Sequence, residues 1–182
     1  MSLIAGNLGV VQRTLDAESM IWGVCAGAAA HLYGNRRPIQ DVDILVGTGQ
    51  LPLVVKLLHR QQKVVQYDGG RILWRGIKLF DDLAIRKGAT VYPFILDALM
   101  SAHMRRISLL GALVQVLSPE DVVVHKLLLD RGAEQNKHDV IDVTGIIRRQ
   151  QLDISYLKQR MELMRVGGAL DARLAELGVS LV

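Results

Sequence analysis

The sequence predicts an α+β protein: a mixed β-sheet covered by helices, with a C-terminal helical extension. Short apolar runs bounded by glycine turns fill the first two-thirds of the 182 residues. After Leu117 the pattern is helical to the end. Between them stands Gln40-Asp41-Val42-Asp43-Ile44-Leu45-Val46, where polar and apolar residues alternate as a half-buried strand requires. With strands dominating the first two-thirds and helices the last third, a mixed sheet covered by helices is the natural architecture. The expected organisation is a core over residues 1–118 and a helical region over 119–182 packed on it.

Each element has a local reason. Leu8, Val11 and Leu15 share one face of a first helix reaching Ala17. Met20 to Cys25 reads as a buried strand, Ala26-Gly27 breaks it, and Ala28 to Tyr33 is strongly helix-forming until Gly34. A loop through Asn35-Arg36-Arg37-Pro38 leads to the Asp41–Val46 strand, closed by Gly47-Thr48-Gly49. Leu51 to Gln61 is amphipathic, with Leu53, Val54, Leu57 and Leu58 inward. Val64–Tyr67 and Arg71–Trp74 form a hairpin across Asp68-Gly69-Gly70. A turn at Arg75-Gly76 leads into a strand expected to run from Ile77 to Ile85. Tyr92 to Met104 is expected as a helix, followed by a small hairpin across Gly111-Ala112. Ser118-Pro119-Glu120-Asp121 opens the next helix with an N-cap, a first-turn proline and acidic residues at the positive end of the dipole. Breaks are expected at Arg131-Gly132, around Gln151 to Asp153, and at Gly167-Gly168.

Composition narrows the classes. Half the residues are apolar and 22% are charged, which fits a folded globular chain and excludes bulk disorder. No apolar run approaches the roughly 18 residues of a membrane span. The first residues, Met1-Ser2-Leu3-Ile4-Ala5-Gly6, lack the basic segment and long apolar stretch of a secretory signal, so a cytoplasmic protein is expected. The single cysteine, Cys25, excludes an internal disulfide and a multi-cysteine zinc site. A net charge of +4 and pI near 9.4 bias the surface mildly toward polyanions such as nucleotides and RNA. The basic pairs Arg36-Arg37, Arg105-Arg106 and Arg148-Arg149 are scattered, and 4% aromatic content argues against a base-stacking surface.

The chemistry is read from the carboxylates. Asp41 and Asp43 point to one side of their strand while Val42, Ile44 and Val46 point to the other. Two neighbouring carboxylates repel unless a cation lies between them, and such oxygen clusters suit Mg²⁺ bound to substrate phosphates. In the Ile77–Ile85 run, Asp82 shares a face with Lys78, Phe80, Ala84 and Arg86, whereas Asp81 shares the apolar one. Asp82 is therefore the expected third carboxylate, and a one-residue bulge would transfer the choice to Asp81.

Three stretches together resemble the nucleotidyltransferase superfamily related to DNA polymerase beta, and within it the minimal and abortive-infection-type toxin nucleotidyltransferases. The first runs from Ala26-Gly27 through Arg37 to Asp41-Val42-Asp43. It is similar to the family's double-glycine helix start, loop arginine and Asp-x-Asp at the family's spacing. The second, Leu117 to Leu127, resembles the helix whose lysine, here Lys126, follows a Pro-Glu-Asp start. The third, Asn136 to Val143, resembles a Lys-x-Asp-x-x-Asp helix, here Lys137, Asp139 and Asp142. Ala26 and Ile39 depart from the family's glycine and threonine.

The resemblance implies in-line transfer of a nucleotide from an NTP to a hydroxyl of RNA, protein or a small molecule, releasing pyrophosphate. It implies two Mg²⁺ ions held by Asp41, Asp43 and Asp82, with Asp82 as proton acceptor. Ala26 and Gly27 would present backbone amides to the triphosphate, while Lys126 and Arg37 would contact substrate or brace the carboxylate loop. Lys137, Asp139 and Asp142 would support the site from outside. The two departures motivate an alternative, a non-catalytic member acting as a binding or toxin–antitoxin partner. Cys25, His31 and His125 read as structural residues.

Overall fold

The computed structural model describes residues 3–34, 36–135 and 137–181. Asn35 and Asn136, which belong to stretches discussed above, and the terminal Met1, Ser2 and Val182 lie outside the described residues. In chain order the elements are α1 (Leu3–Ala17), β1 (Trp22–Cys25), α2 (Ala26–Tyr33), β2 (Val42–Val46), α3 (Leu51–Arg60), β3 (Gln66–Tyr67), β4 (Arg71–Trp74), β5 (Ile77–Phe80), β6 (Ile85–Lys87), β7 (Thr90–Tyr92), α4 (Ala98–His103), β8 (Arg105–Leu109), β9 (Ala112–Val116), α5 (Pro119–Leu129), α6 (Asp139–Arg149), α7 (Ile154–Leu163) and α8 (Gly167–Glu176). A 3₁₀ turn at Ala133–Gln135 precedes α6.

The elements divide between two compact units. The first comprises the chain up to Ala28, Ile39–Leu83 and Ile95–Leu117. Among the described residues it holds a mixed sheet in the order β3-β4-β5-β2-β1-β9-β8. β2 runs parallel to β5 and β1 parallel to β9, while the other neighbours are antiparallel. The α+β class with a mixed sheet is as the sequence predicts. Leu8, Val11 and Leu15 of α1 are buried, and the helix packs on β9 and β5. Val54, Leu57 and Leu58 of α3 are likewise buried, whereas Leu53 is exposed. Arg75 and Gly76, between β4 and β5, both have positive φ, the left-handed pair that matches the twist of a two-residue hairpin.

The second unit comprises Ala29–Pro38, Ala84–Phe94 and the chain from Ser118 onward. Its axis is α5, which packs on α6, α7 and α8 and is buried from Pro119 to Leu128. Ser118 caps it as expected, accepting the Asp121 N–H at 3.1 Å. A helix buried on every side must pair its polar residues internally. Glu120 accepts the Asp153 N–H at 2.8 Å, and the His125 ring lies 4.2 Å from that of Phe94.

Three expectations are corrected. The strand from Ile77 stops at Phe80, and Ile85 begins a separate hairpin with β7. The Tyr92–Met104 helix is confined to Ala98–His103, and Pro93 disfavours helical backbone at Tyr92, which lies in β7. Asp97 caps the shortened helix by accepting the Met100 N–H at 2.7 Å. The break expected at Gly167-Gly168 falls just before it, and the two glycines form the first turn of α8. No helix of the described residues is long and apolar enough to cross a membrane.

Gly34 ends α2 against α6. A Cβ built on it would collide with the Gly145 carbonyl, and Arg149 and Gln150 donate to the carbonyls of Gly34 and Tyr33. Replacing Gly34 with alanine is expected to destabilise the protein by about 1–3 kcal/mol, the usual cost of overpacking. Urea denaturation of the Gly34→Ala variant measures it.

Candidate functional site

The carboxylate strand folds as its alternation dictates. Val42, Ile44 and Val46 are fully buried, whereas Asp41 and Asp43 are partly exposed. Antiparallel pairing sets Cys25 opposite Asp43, so β1 ends and α2 begins at the edge of the sheet where β2 starts. Ala26 makes the turn with φ of +51°, in the left-handed region that a glycine would occupy at no steric cost. The Ala26-Gly27 strand-to-helix turn is therefore kept despite the alanine, and the first N–H groups of α2 open beside the Asp-x-Asp strand.

On the other side of β2, the parallel register places Lys78 of β5 opposite Asp43. Ile77 and Leu79 are fully buried, which turns Lys78 to the opposite face of its strand. Its ammonium forms an ion pair with Asp41, both side chains being more than one-third exposed. Burial disfavours the ammonium, but the Asp41 hydrogen bond and the charges of Asp43 and Asp41 outweigh it and hold the Lys78 pKa above the usual lysine value.

Asp82 lies elsewhere. Parallel pairing carries β5 toward the C-terminal end of β2, and the chain leaves the strand at Asp81. The Asp81 carboxylate accepts the Gly49 N–H at 2.8 Å, fixing this segment to the turn beyond β2. β2 has five residues, so at about 3.3 Å per residue its two ends are roughly 13 Å apart. The structure thus brings Ala26, Gly27, Asp41, Asp43 and Lys78 to one end of β2 and places Asp82 by the other. Among the described residues, no group of three or more His, Cys, Asp or Glu side chains is disposed to hold a metal ion. Mg²⁺ needs only one or two carboxylates when water and substrate phosphates complete its shell, and the Asp41–Asp43 pair is a donor set of that kind.

The remaining sequence-predicted residues lie in the second unit. Lys126, almost fully buried, places its ammonium 2.8 Å from both Asp139 and Asp142. Arg37 makes a forked contact with Asp142 at 3.2 and 3.3 Å, and Arg131 pairs with Asp139 at 2.8 Å. His31 Nδ1–H donates to the Arg37 carbonyl at 2.7 Å. Lys137 is exposed, and its backbone N–H donates to Gly132 at 2.9 Å. Five residues before Lys126 along α5, Asp121 is enclosed by Arg160 Nε at 2.9 Å, Tyr156 Oη at 2.8 Å and Ser118 Oγ at 2.9 Å. Burial and the Asp121 charge push the Tyr156 phenol far up, so it stays a donor.

Lys78 and the Asp121 cluster were missed by the sequence reading. Strand alternation places Lys78 on a polar face, but only the β2–β5 register sets it against Asp43. Asp121 reads from sequence as a first-turn dipole residue, and nothing local announces Tyr156 and Arg160 as its partners.

No family model and no characterised protein matches the sequence. Solved structures do match the fold. ANT(2'')-Ia in complex with adenylyl-2''-tobramycin superposes with a TM-score of 0.60 at 11% identity, covering 92% of this chain and 99% of that one. A nucleotidyltransferase-like protein from Paracoccidioides brasiliensis gives 0.53 at 18% identity over 96% and 91% of the two chains. The lincosamide antibiotic adenylyltransferase LnuA, bound to lincomycin, gives 0.52 at 13% identity over 80% and 97%. The chain has the nucleotidyltransferase fold.

Two consequences are measurable. An Ala26→Gly change relieves about 1–2 kcal/mol of left-handed backbone cost. It gives back about 0.4–1 kcal/mol in unfolded-chain entropy, so a net gain of about 0.5–1 kcal/mol in chemical denaturation is expected. Asp139 supplies a pH dependence. Burial acts to raise its pKa, but hydrogen bonds and charge from Arg131 and Lys126 prevail and hold it below the ordinary 3.8. Its stabilising contribution is therefore complete above that value and lost as pH falls through the lowered one. Denaturation midpoints measured from pH 6 downward should fall more steeply below pH 3.8 in wild type than in Asp139→Asn.

Proposed function

We propose that this protein is a Mg²⁺-dependent nucleotidyltransferase that moves a nucleotide from an NTP to the hydroxyl of a small molecule, with release of pyrophosphate. The observation that carries the reading is the Cys25–Asp43 register, which sets the start of α2 against the Asp-x-Asp pair. One side then offers backbone N–H donors to phosphate oxygens, and the other offers carboxylate oxygens to a cation. Among the acceptor classes considered from sequence, the fold likeness favours a small molecule. ANT(2'')-Ia was solved with an adenylylated tobramycin and LnuA with lincomycin. A shared fold supports this by analogy, and the site supports it by chemistry.

In this reading Asp41 and Asp43 hold the cation that accompanies the triphosphate. Mg²⁺ would supply charge neutralisation at the phosphates, lowering the cost of the developing charge. The α2 amides orient the triphosphate so that the bond to the departing pyrophosphate faces away from the attacking hydroxyl. The Lys126–Asp142–Arg37 chain braces the loop that precedes the Asp-x-Asp, since Asp142 fixes Arg37 and Lys126 neutralises Asp142.

The alternative, a non-catalytic binding or toxin–antitoxin partner, was motivated by Ala26 and Ile39. Ala26 keeps the turn, so it no longer favours that alternative. The register of β5 favours it, because Phe80 already pairs with Leu45 and the chain carries Asp82 on toward the end of β2 away from Asp43.

Titration calorimetry with an NTP, with and without Mg²⁺, separates the readings when joined to a pyrophosphate-release assay. Asp43→Asn is expected to weaken metal-dependent NTP binding at least tenfold, the loss of about one charge-assisted contact. Asp82→Asn should leave NTP binding intact and change turnover by less than the roughly 10²-fold loss of a general base. Binding without pyrophosphate release against any hydroxyl acceptor tested supports the non-catalytic alternative. NTP binding unaffected by Asp43→Asn overturns the site.

A further inference from the structure

Lys78 has a role that the resemblance does not assign. Its α-carbon is the register partner of Asp43, its ammonium is paired with Asp41, and its strand neighbours Ile77 and Leu79 are locked in the core. The side chain therefore has no other face to occupy. A positive charge is built into the place where two carboxylates would otherwise require an external cation. Three carboxylates converging here would carry enough negative charge for two divalent ions. Two carboxylates and an ammonium carry a net charge of about −1 in simple counting, enough for one.

On that ground, and resting on the nucleotide-binding reading above, we infer that Lys78 replaces the second cation of the site. The protein binds NTP with a single divalent ion, and the Lys78 ammonium supplies the other positive charge to the triphosphate. A lysine suits this exchange, because its flexible four-carbon stem can carry a point charge from Asp41 to a phosphate oxygen without movement of the strand. The hold of the Asp81 carboxylate on the Gly49 N–H, which fixes the chain after β5 to the turn beyond β2, fits the same picture, since the site is then built from two carboxylates and a lysine. On this inference the site holds one ion where the resemblance implies two.

Mn²⁺ stoichiometry measured by electron paramagnetic resonance, with a non-hydrolysable NTP analogue present, tests this without reference to turnover. Wild type should bind one Mn²⁺ per chain. Lys78→Met should still bind one but hold the analogue about tenfold more weakly, the loss of one charge-assisted contact. Lys78→Asp, which sets a third carboxylate against Asp43, should bind two. Lys78→Arg should recover analogue affinity relative to Lys78→Met. Circular dichroism confirms that each variant is folded, and a misfolded Lys78→Asp leaves the decision to the wild-type stoichiometry and the Met and Arg affinities. Two Mn²⁺ in wild type, or unchanged analogue affinity in Lys78→Met, overturns the inference. Wild type that binds no analogue, or binds it equally in Asp43→Asn, overturns the nucleotide-binding reading itself.

Discussion

The register between β1, β2 and β5 is the constraint on which the site depends. Antiparallel pairing with β1 puts Cys25 against Asp43, and parallel pairing with β5 puts Lys78 against it from the other side. Each partner is fixed by the core. Val24, Ile44 and Leu79 are fully buried, and because β5 alternates between buried and partly exposed residues, a one-residue slip of β5 would expose its apolar row and turn Lys78 inward. The hydrophobic effect that builds the sheet thus also sets which charges face each other. The Asp41–Lys78 pair is partly solvated and not strong enough to do this alone.

The second unit is held on a different principle. α5 is buried from Pro119 to Leu128 and carries Glu120, Asp121, His125 and Lys126 within it. A buried charge without a partner costs several kcal/mol, so Asp121 fixes the positions of Arg160 and Tyr156, and Lys126 those of Asp139 and Asp142. Such pairs add little net stability over well-packed apolar residues, but they penalise every arrangement that separates them. Arg37 is drawn into this network through Asp142. The segment leading toward the Asp-x-Asp is therefore held by charge in the second unit, while the Asp-x-Asp itself is held by packing in the first.

How much of this was legible depended on the range over which each signal acts. Local signals read well: the Ser118 cap, the Arg75-Gly76 turn and the alternation around Asp41 and Asp43 appear in the structure as the sequence implied. Alternation over Ile77 to Ile85 suggested one strand, but periodicity cannot show where a ladder partner ends. β5 stops at Phe80, where pairing with Leu45 and Arg71 ends, and Asp81 turns to Gly49. The same gap hid the part played by Lys78. Its face could be read from the sequence, but its opposition to Asp43 is a property of parallel register between strands separated by more than thirty residues. Pro93 is a local signal too, since a proline disfavours helical backbone at the residue before it and so argues against a helix starting at Tyr92. Lys126, Asp139 and Asp142 were singled out by resemblance, and their mutual pairing emerged only with the fold.

The most direct measurement of the central claim is paramagnetic broadening of backbone amide resonances by Mn²⁺ bound with a non-hydrolysable NTP analogue. Broadening centred on Gly27, Asp43 and Lys78, with Asp82 less affected, is the result expected if the nucleotide and its ion sit at the start of β2. Broadening centred on Asp82 and Gly49, or confined to the helices after Ser118, would contradict it.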